Sequence, residues 1–148
     1  MKPLVVTQPI AVPIEDVFEV LAHIEVAAEI LPKITRAEIL SGPSRGRGTR
    51  FAETRKIGKR EFTMEFKVTE YDAPHSVRLV CDDQMGSVWD SVYHLVEEDG
   101  VTIVTLTMHC IPSKFTMKLM WPLMKILVKA GIKDDFKHFK EHLESVEL

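Results

Sequence analysis

The chain has 148 residues, 45% of them hydrophobic and 28% charged, with a net charge of −3. That length suits one domain over residues 1–148 and lets a chain bury roughly 70% of its unfolded surface. Its basic residues are spread rather than clustered, which gives no reason to expect nucleic acid. Cys81 and Cys110 lie far apart, with no CxxC and no metal spacing; a reduced, cytoplasmic protein with two buried thiols is the plain expectation.

The opening MKPLVVTQPIAVP carries one lysine and is interrupted by Gln8, Pro9 and Pro13, unlike a signal peptide. Within it LVVTQPI is a β-rich run. VPIEDVFEVL then predicts a helix, with Pro13 in its first turn and Glu15 and Asp16 complementing the positive end of the dipole. IEVAAEIL predicts a second short helix stopped by Pro32. ITRAEILSG predicts a strand closing at Gly42, and PSRGRG a glycine-rich loop. From Gly48 to Pro112 strands alternate with turns at Gly58-Lys59, YDAPH, DDQMG and EEDG. Strands in series joined by short loops predict an antiparallel meander. Ser113 to Glu147 predicts one long helix, whose stripe Ile132, Phe136, Phe139, Leu143, Val146 keeps helical spacing. Pro122 predicts a kink or break near Trp121. FTMKLMWPLMKILVKAGI is the most apolar segment, but Lys118, Lys125 and Lys129 make it too charged to span a bilayer. The whole is an α+β plan.

One hairpin raises a question. A type II′ turn at Gly58-Lys59 pairs Arg55 with Phe62, Glu53 with Met64 and Phe51 with Phe66. Opposed residues share a face, so two charges point where the phenylalanines point. A buried isolated charge costs several kcal/mol. Either this face runs off the end of the core, or a concave sheet leaves a cavity with polar anchors; pairing alone does not separate the two. The last hairpin tips the balance. Pairing across EEDG sets Val96 opposite Val101, Tyr93 opposite Val104, Ser91 opposite Leu106 and Trp89 opposite Met108. A face of large aromatics and small hydroxyls suits a ligand cavity better than a close-packed core. The first half of the long helix is apolar nearly all round and rich in methionine, which fits an adaptable wall, although an ordinary buried helix would look the same.

In order and spacing, IAVPIEDVFEVLAHIEVAAEILPKITRAEILSG, then GTRFAETR to VTEYDAP, then IKDDFKHFKEHLE resemble the polyketide cyclase/dehydrase and lipid-transport superfamily, which includes the START domains. The resemblance implies a START-like helix-grip fold: a curved antiparallel sheet around a long C-terminal helix, two short helices after the first strand, and a hydrophobic cavity between sheet and helix. Ile30-Leu31 departs from the aromatic residue often found before the second helix's proline. The superfamily holds cyclases, lipid carriers, quinone-binding proteins and receptors, so the fold does not fix the function.

The chemistry is weighed on the residues. Cys81 and Cys110 suit small apolar roles. His94 and His109 fall on outward faces, His75 lies in a turn, and His138 and His142 have metal spacing without a third ligand. Glu53 as general base with Arg55 steadying an enolate is the acid–base pair with a structural argument behind it. The plainer reading is that they anchor a ligand's hydroxyl or carboxylate, or simply pair with one another; anchoring outweighs catalysis, because a lone carboxylate–guanidinium pair is a weak catalytic signature. The resulting expectation is a binder of a small hydrophobic molecule, such as a lipid, quinone or polyketide-like compound, with no cofactor and no metal. Glu53 and Arg55 hold its polar end. Phe51, Phe62, Met64, Phe66, Leu79, Trp89, Ser91, Tyr93, Leu106 and Met108 form the walls, with Leu119, Leu123 and Leu127 from the helix. A cyclase- or dehydratase-type enzyme using the same cavity is the alternative. A third reading is a lysine-dotted Phe115–Ile132 module docking on a membrane surface or a protein. The oligomeric state stays open.

Overall fold

The computed structural model describes residues 2–84 and 86–146. Strand β1 (Leu4–Ile10) leads into helices α1 (Ile14–Leu21) and α2 (Ile24–Ile30). Strands β2 (Ile34–Ser41), β3 (Arg50–Ile57), β4 (Arg60–Asp72), β5 (Ser76–Asp82), β6 (Ser87–Glu98) and β7 (Val101–Pro112) follow, and helix α3 (Phe115–Val146) closes the chain. Two expectations touch residues outside the described ones: Met85 in the DDQMG turn, and Glu147 at the helix end.

The seven strands form one curved antiparallel sheet in the order β1-β7-β6-β5-β4-β3-β2. Chain neighbours pair from β2 to β7, as short loops demand. β1 instead joins the far edge beside β7, with Val6 opposite Leu106. The result is the helix-grip plan, with α3 in the grip of the sheet.

Local chemistry accounts for the elements. Pro13 sits just before α1 with φ of −57°, offers it no side-chain cap, and is followed by Glu15 and Asp16 in the first turn. The carboxylate of Glu97 takes up the cap role, accepting the Ile14 amide at 2.7 Å. Leu31, held extended before Pro32, ends α2. In the first hairpin Gly58 has φ of +63° while Lys59 is not in the left-handed region, which fits the type II′ turn. Arg55 faces Phe62, Glu53 faces Met64 and Phe51 faces Phe66, as the sequence predicts.

The last hairpin corrects its expectation. Asp99 and Gly100 have φ of +52° and +80° and form the loop by themselves, with Glu98 opposite Val101. Asp-Gly suits a two-residue type I′ turn, so the strands run two residues further than a four-residue loop allows. Tyr93 therefore meets Leu106, Ser91 meets Met108 and Trp89 meets Cys110. A slip of two leaves every side chain on its expected face. Of the kink or break expected at Pro122, the break does not occur: α3 runs through it from Phe115 to Val146.

The core is dense at one end. Val6, Ile10, Val12, Val17, Phe18, Leu95, Val104 and Leu106 bury against Phe136, Phe139 and Leu143 of α3. Towards the other end α3 contributes a single buried side chain, Trp121, whose ring centroid lies 5.7 Å from that of Trp89.

Candidate functional site

The charged residues of β3 meet α3 midway between these ends. Arg55 donates from Nε to Glu53 Oε1 at 3.0 Å and from Nη1 to both oxygens of Asp135 at 3.0 Å. All three side chains are largely withdrawn from water, Arg55 and Asp135 at 19% exposure each and Glu53 at 11%. The cluster has two carboxylates for one guanidinium, so with every group ionised it carries −1. Burial pushes the Glu53 carboxyl above its ordinary range, and this outweighs the pull of Arg55 in the other direction. For Arg55 burial works towards a lower value, but Asp135 and Glu53 outweigh it and raise the guanidinium, which stays charged. Tyr93 is pushed up by burial and by the two carboxylates, and its hydroxyl makes no hydrogen bond with a described protein group.

These residues floor a cavity of about 60 Å³, walled by Leu21, Ala22, Ile24, Ala27, Leu31 and Ile34 on one side and by Phe51, Leu79 and Phe139 on the other. Its volume admits a few waters or a polar head group, well short of the several hundred Å³ that bury a drug-sized molecule. Beyond it, the concave face of the sheet continues as a row of half-buried side chains: Phe62, Met64, Phe66, Trp89 and Met108. Phe66 stacks on the buried Phe51 at 5.2 Å. A wider hollow of about 190 Å³ is lined by Arg50, Glu65, Phe66, Lys67, Val80, Asp82 and Gln84 and shares no lining residue with the Arg55 cavity.

Of the expected site residues, Phe51, Glu53, Arg55, Leu79 and Tyr93 line the small cavity. Phe62, Met64, Phe66, Trp89 and Met108 lie along the half-buried row, and Ser91 and Leu106 are buried beneath it. Leu119, Leu123 and Leu127 do not belong. They are 67%, 61% and 65% exposed, because Trp121 and the stripe ending in Phe139 and Leu143 set the phase of α3 and turn these leucines about half a turn away. Asp135 and the α1–α2 wall are additions. Asp135 lies beside Phe136 and three residues after Ile132, on the flank of the inward stripe. A carboxylate there is the signal that points to it.

Cys81 and Cys110 are buried as expected, and Cys81 is pushed up to about 12 by burial and by nearby carboxylates, which makes it a poor nucleophile. His94, His109 and His75 are exposed. His23 is buried and bridges the Glu19 carbonyl and the Tyr71 hydroxyl, each at 2.8 Å. Among the described residues no group of three or more His, Cys, Asp or Glu side chains is placed to hold a metal ion.

A family model described as polyketide cyclase/dehydrase and lipid transport matches residues 1–144. The chain belongs to this family. Solved structures place the family fold on firm ground. Ara h 8.0201 superposes with a TM-score of 0.78 at 18% identity, covering 97% of each chain. The protein TTHA0849 from Thermus thermophilus gives 0.81 at 16%, covering 99% of each. Norcoclaurine synthase from Thalictrum flavum, solved in complex with dopamine and hydroxybenzaldehyde, gives 0.71 at 19%, covering 97% of this chain and 87% of its own. No functionally curated protein matches the chain in sequence. Likeness at such identities carries the fold and leaves the chemistry to the site.

Proposed function

We propose that this family member binds a small hydrophobic molecule, with its apolar body along the half-buried row from Phe62 to Met108 and its polar end at the Arg55 cluster. The observation that supports the reading is the cluster itself. A charged triad is set into an otherwise apolar cavity, and Tyr93, whose hydroxyl has no hydrogen-bond partner among the described residues, lines the same space. Burying charges costs more than a hydrophobic replacement would, so their presence is better explained by recognition than by stability.

The charge balance refines the ligand. Arg55 already bonds two carboxylates, so with Glu53 ionised an incoming carboxylate would meet a net negative site, and with Glu53 protonated it would find no cation left unpaired. A hydroxyl or amine can donate to Glu53 or Asp135 while accepting from Tyr93 if it has a lone pair. The polar end is therefore a hydrogen-bond donor, and of the two ends the sequence leaves open, hydroxyl or carboxylate, the geometry favours hydroxyl. Native mass spectrometry of freshly purified protein, followed by denaturing extraction, tests for a resident molecule. Competition between a long-chain alcohol or amine and the fatty acid of equal length then tests the polar end. Preference for the alcohol or amine, lost in Glu53→Gln, is the expected result. Preference for the acid would sink the donor reading. A clean apo mass with no uptake of any of the three would sink the binding reading itself.

One observation favours a catalytic version of the same site. Burial raises the basicity of Glu53 while Arg55 holds only one of its oxygens. The other oxygen is free to take a proton from a carbon acid, which is the step a cyclase- or dehydratase-type reaction needs. Turnover of an enolisable polyketide-like substrate, abolished by Glu53→Gln while binding persists, would establish it. Equal turnover by the variant would exclude it.

A further inference from the structure

The first half of α3 presents an apolar face that none of the described residues covers. Phe115 is 73% exposed, and Leu119, Leu123, Ile126 and Leu127 all exceed 60%. Their spacing of three and four residues puts them on one side of the helix, opposite Trp121. A row of exposed large apolar side chains of this length marks an interaction surface.

The charge around it identifies what it meets. Between Asp99 and Asp134 the chain has no acidic residue, while Lys114, Lys118, Lys125, Lys129 and Lys133 fall in that interval. These five give the segment +5 within a chain of net −3, so the rest of the chain carries −8. Lys118, Lys125 and Lys129 follow at i, i+7 and i+11 and line one edge of the apolar face. Lys125 and Lys129 are half-buried, and a lysine's long apolar stem lets it rest on apolar surface with its ammonium group in the polar layer. Among the described residues none of the five is in an ion pair, whereas the next lysines along the helix, Lys137 and Lys140, each have a carboxylate partner. Lysines outside any ion pair beside a bare apolar stripe are complementary to a surface that is apolar within and anionic above.

We propose that this face of α3 docks the protein on the surface of an anionic lipid bilayer, the leucines and Phe115 entering the headgroup–acyl boundary and the lysines engaging lipid phosphates. The helix lies in the interface rather than crossing it, since no helix among the described residues is long and apolar enough to span a membrane. The docked face is the outer side of the same half-helix whose Trp121 reaches back to Trp89. The proposal stands on this exposed face and does not depend on what occupies the Arg55 cavity.

Co-sedimentation with vesicles tests it, using phosphatidylcholine alone and phosphatidylcholine mixed with phosphatidylglycerol. The expected result is binding to the mixed vesicles that weakens as salt is raised and is slight on pure phosphatidylcholine. Leu123→Glu and Ile126→Glu alter only exposed positions, so the fold is retained, and circular dichroism confirms it. Each lowers vesicle affinity by roughly tenfold or more. Lys118→Gln lowers it about fivefold, the effect of one lysine at an anionic surface. Absence of binding to the mixed vesicles, or equal binding by wild type and Leu123→Glu, overturns the proposal. So does binding that ignores both phosphatidylglycerol and salt. Sedimentation velocity adds a separate check: a wild-type dimer that Leu123→Glu converts to monomer would show that a second copy covers the face, and would overturn it as well.

Discussion

The two halves of α3 are built on different principles. From Ile132 onward the helix is amphipathic in the ordinary way: Phe136, Phe139 and Leu143 are buried against β1, α1 and β7, and Lys137, Glu141 and His142 are exposed. Hydrogen bonds reinforce this end, since Glu97 caps α1 and Thr102 donates to the Val12 carbonyl at 2.7 Å. From Phe115 to Lys129 the helix is apolar on both sides yet buries only Trp121. The sheet beneath it keeps a half-covered aromatic row. Stability is concentrated where packing is continuous, and the loosely covered half is where recognition has room to happen. The Arg55–Asp135 contact marks the border between them.

This contrast yields graded expectations. Phe136→Ala opens a hole in the dense end and is expected to cost about 3–5 kcal/mol in denaturant unfolding. Phe62→Ala removes a half-buried ring from the open row and costs about 1 kcal/mol or less, while weakening ligand uptake. If the two costs were equal, the division of labour would be wrong.

Next in size is Arg55→Ala. It leaves two carboxylates facing each other without a cation, at a cost of about 3 kcal/mol. The combined variant Arg55→Ala, Glu53→Gln, Asp135→Asn should recover most of that loss. Failure to recover would mean that Arg55 acts through packing of its stem rather than through charge.

Smaller effects come from proton linkage. The folded state holds the Glu53 proton to higher pH than the unfolded chain does. Stability due to this group is therefore full below 4.5 and falls as pH rises through the raised value. Glu53→Gln removes that slope, measurable as urea midpoints across the mildly acidic range. Asp90 works with the opposite sign. Arg78 lies 2.6 Å from it and holds its carboxylate below the usual value, so its contribution is present above 3.8 and fades as pH falls through the lowered value. Asp90→Asn should leave stability at the acid end unchanged and lower the neutral plateau slightly, flattening the acid limb by that same small amount, because Arg78 is partly solvated and the pair is weak.

Legibility in the sequence follows the strength of local constraint. Gly58 leaves one turn geometry open, and from it the β3–β4 register follows residue by residue, including the inward lean of Glu53 and Arg55. EEDG offers two loop lengths, and the longer one displaces β6 against β7 by two without moving any side chain off its face. The α3 leucines are unreadable for a different reason. A helix apolar all round has no moment to give its phase, so only the tertiary contact of Trp121 with Trp89 decides which side faces inward. Asp135 shows the converse. Its place beside an inward stripe is visible, but its partner lies 80 residues earlier on β3, and no local pattern joins the two. Pro122 marks where a local rule yields: one missing donor does not stop a helix that is anchored beyond it.

The seating of β1 against β7 has a consequence for how the molecule is made. Thr7 faces Thr105, 98 residues later, and the Ala11 amide meets Glu144, 133 residues later. A ribosome adding roughly 5–20 residues per second releases the first strand long before its neighbour exists. β2 to β7 can pair one after another as they emerge, whereas LVVTQPI waits until β7, the last strand of the sheet, has been made. β1, made before all the other strands, is thus the one that waits longest for its partner, and in that interval its unpaired edge is what a chaperone would meet.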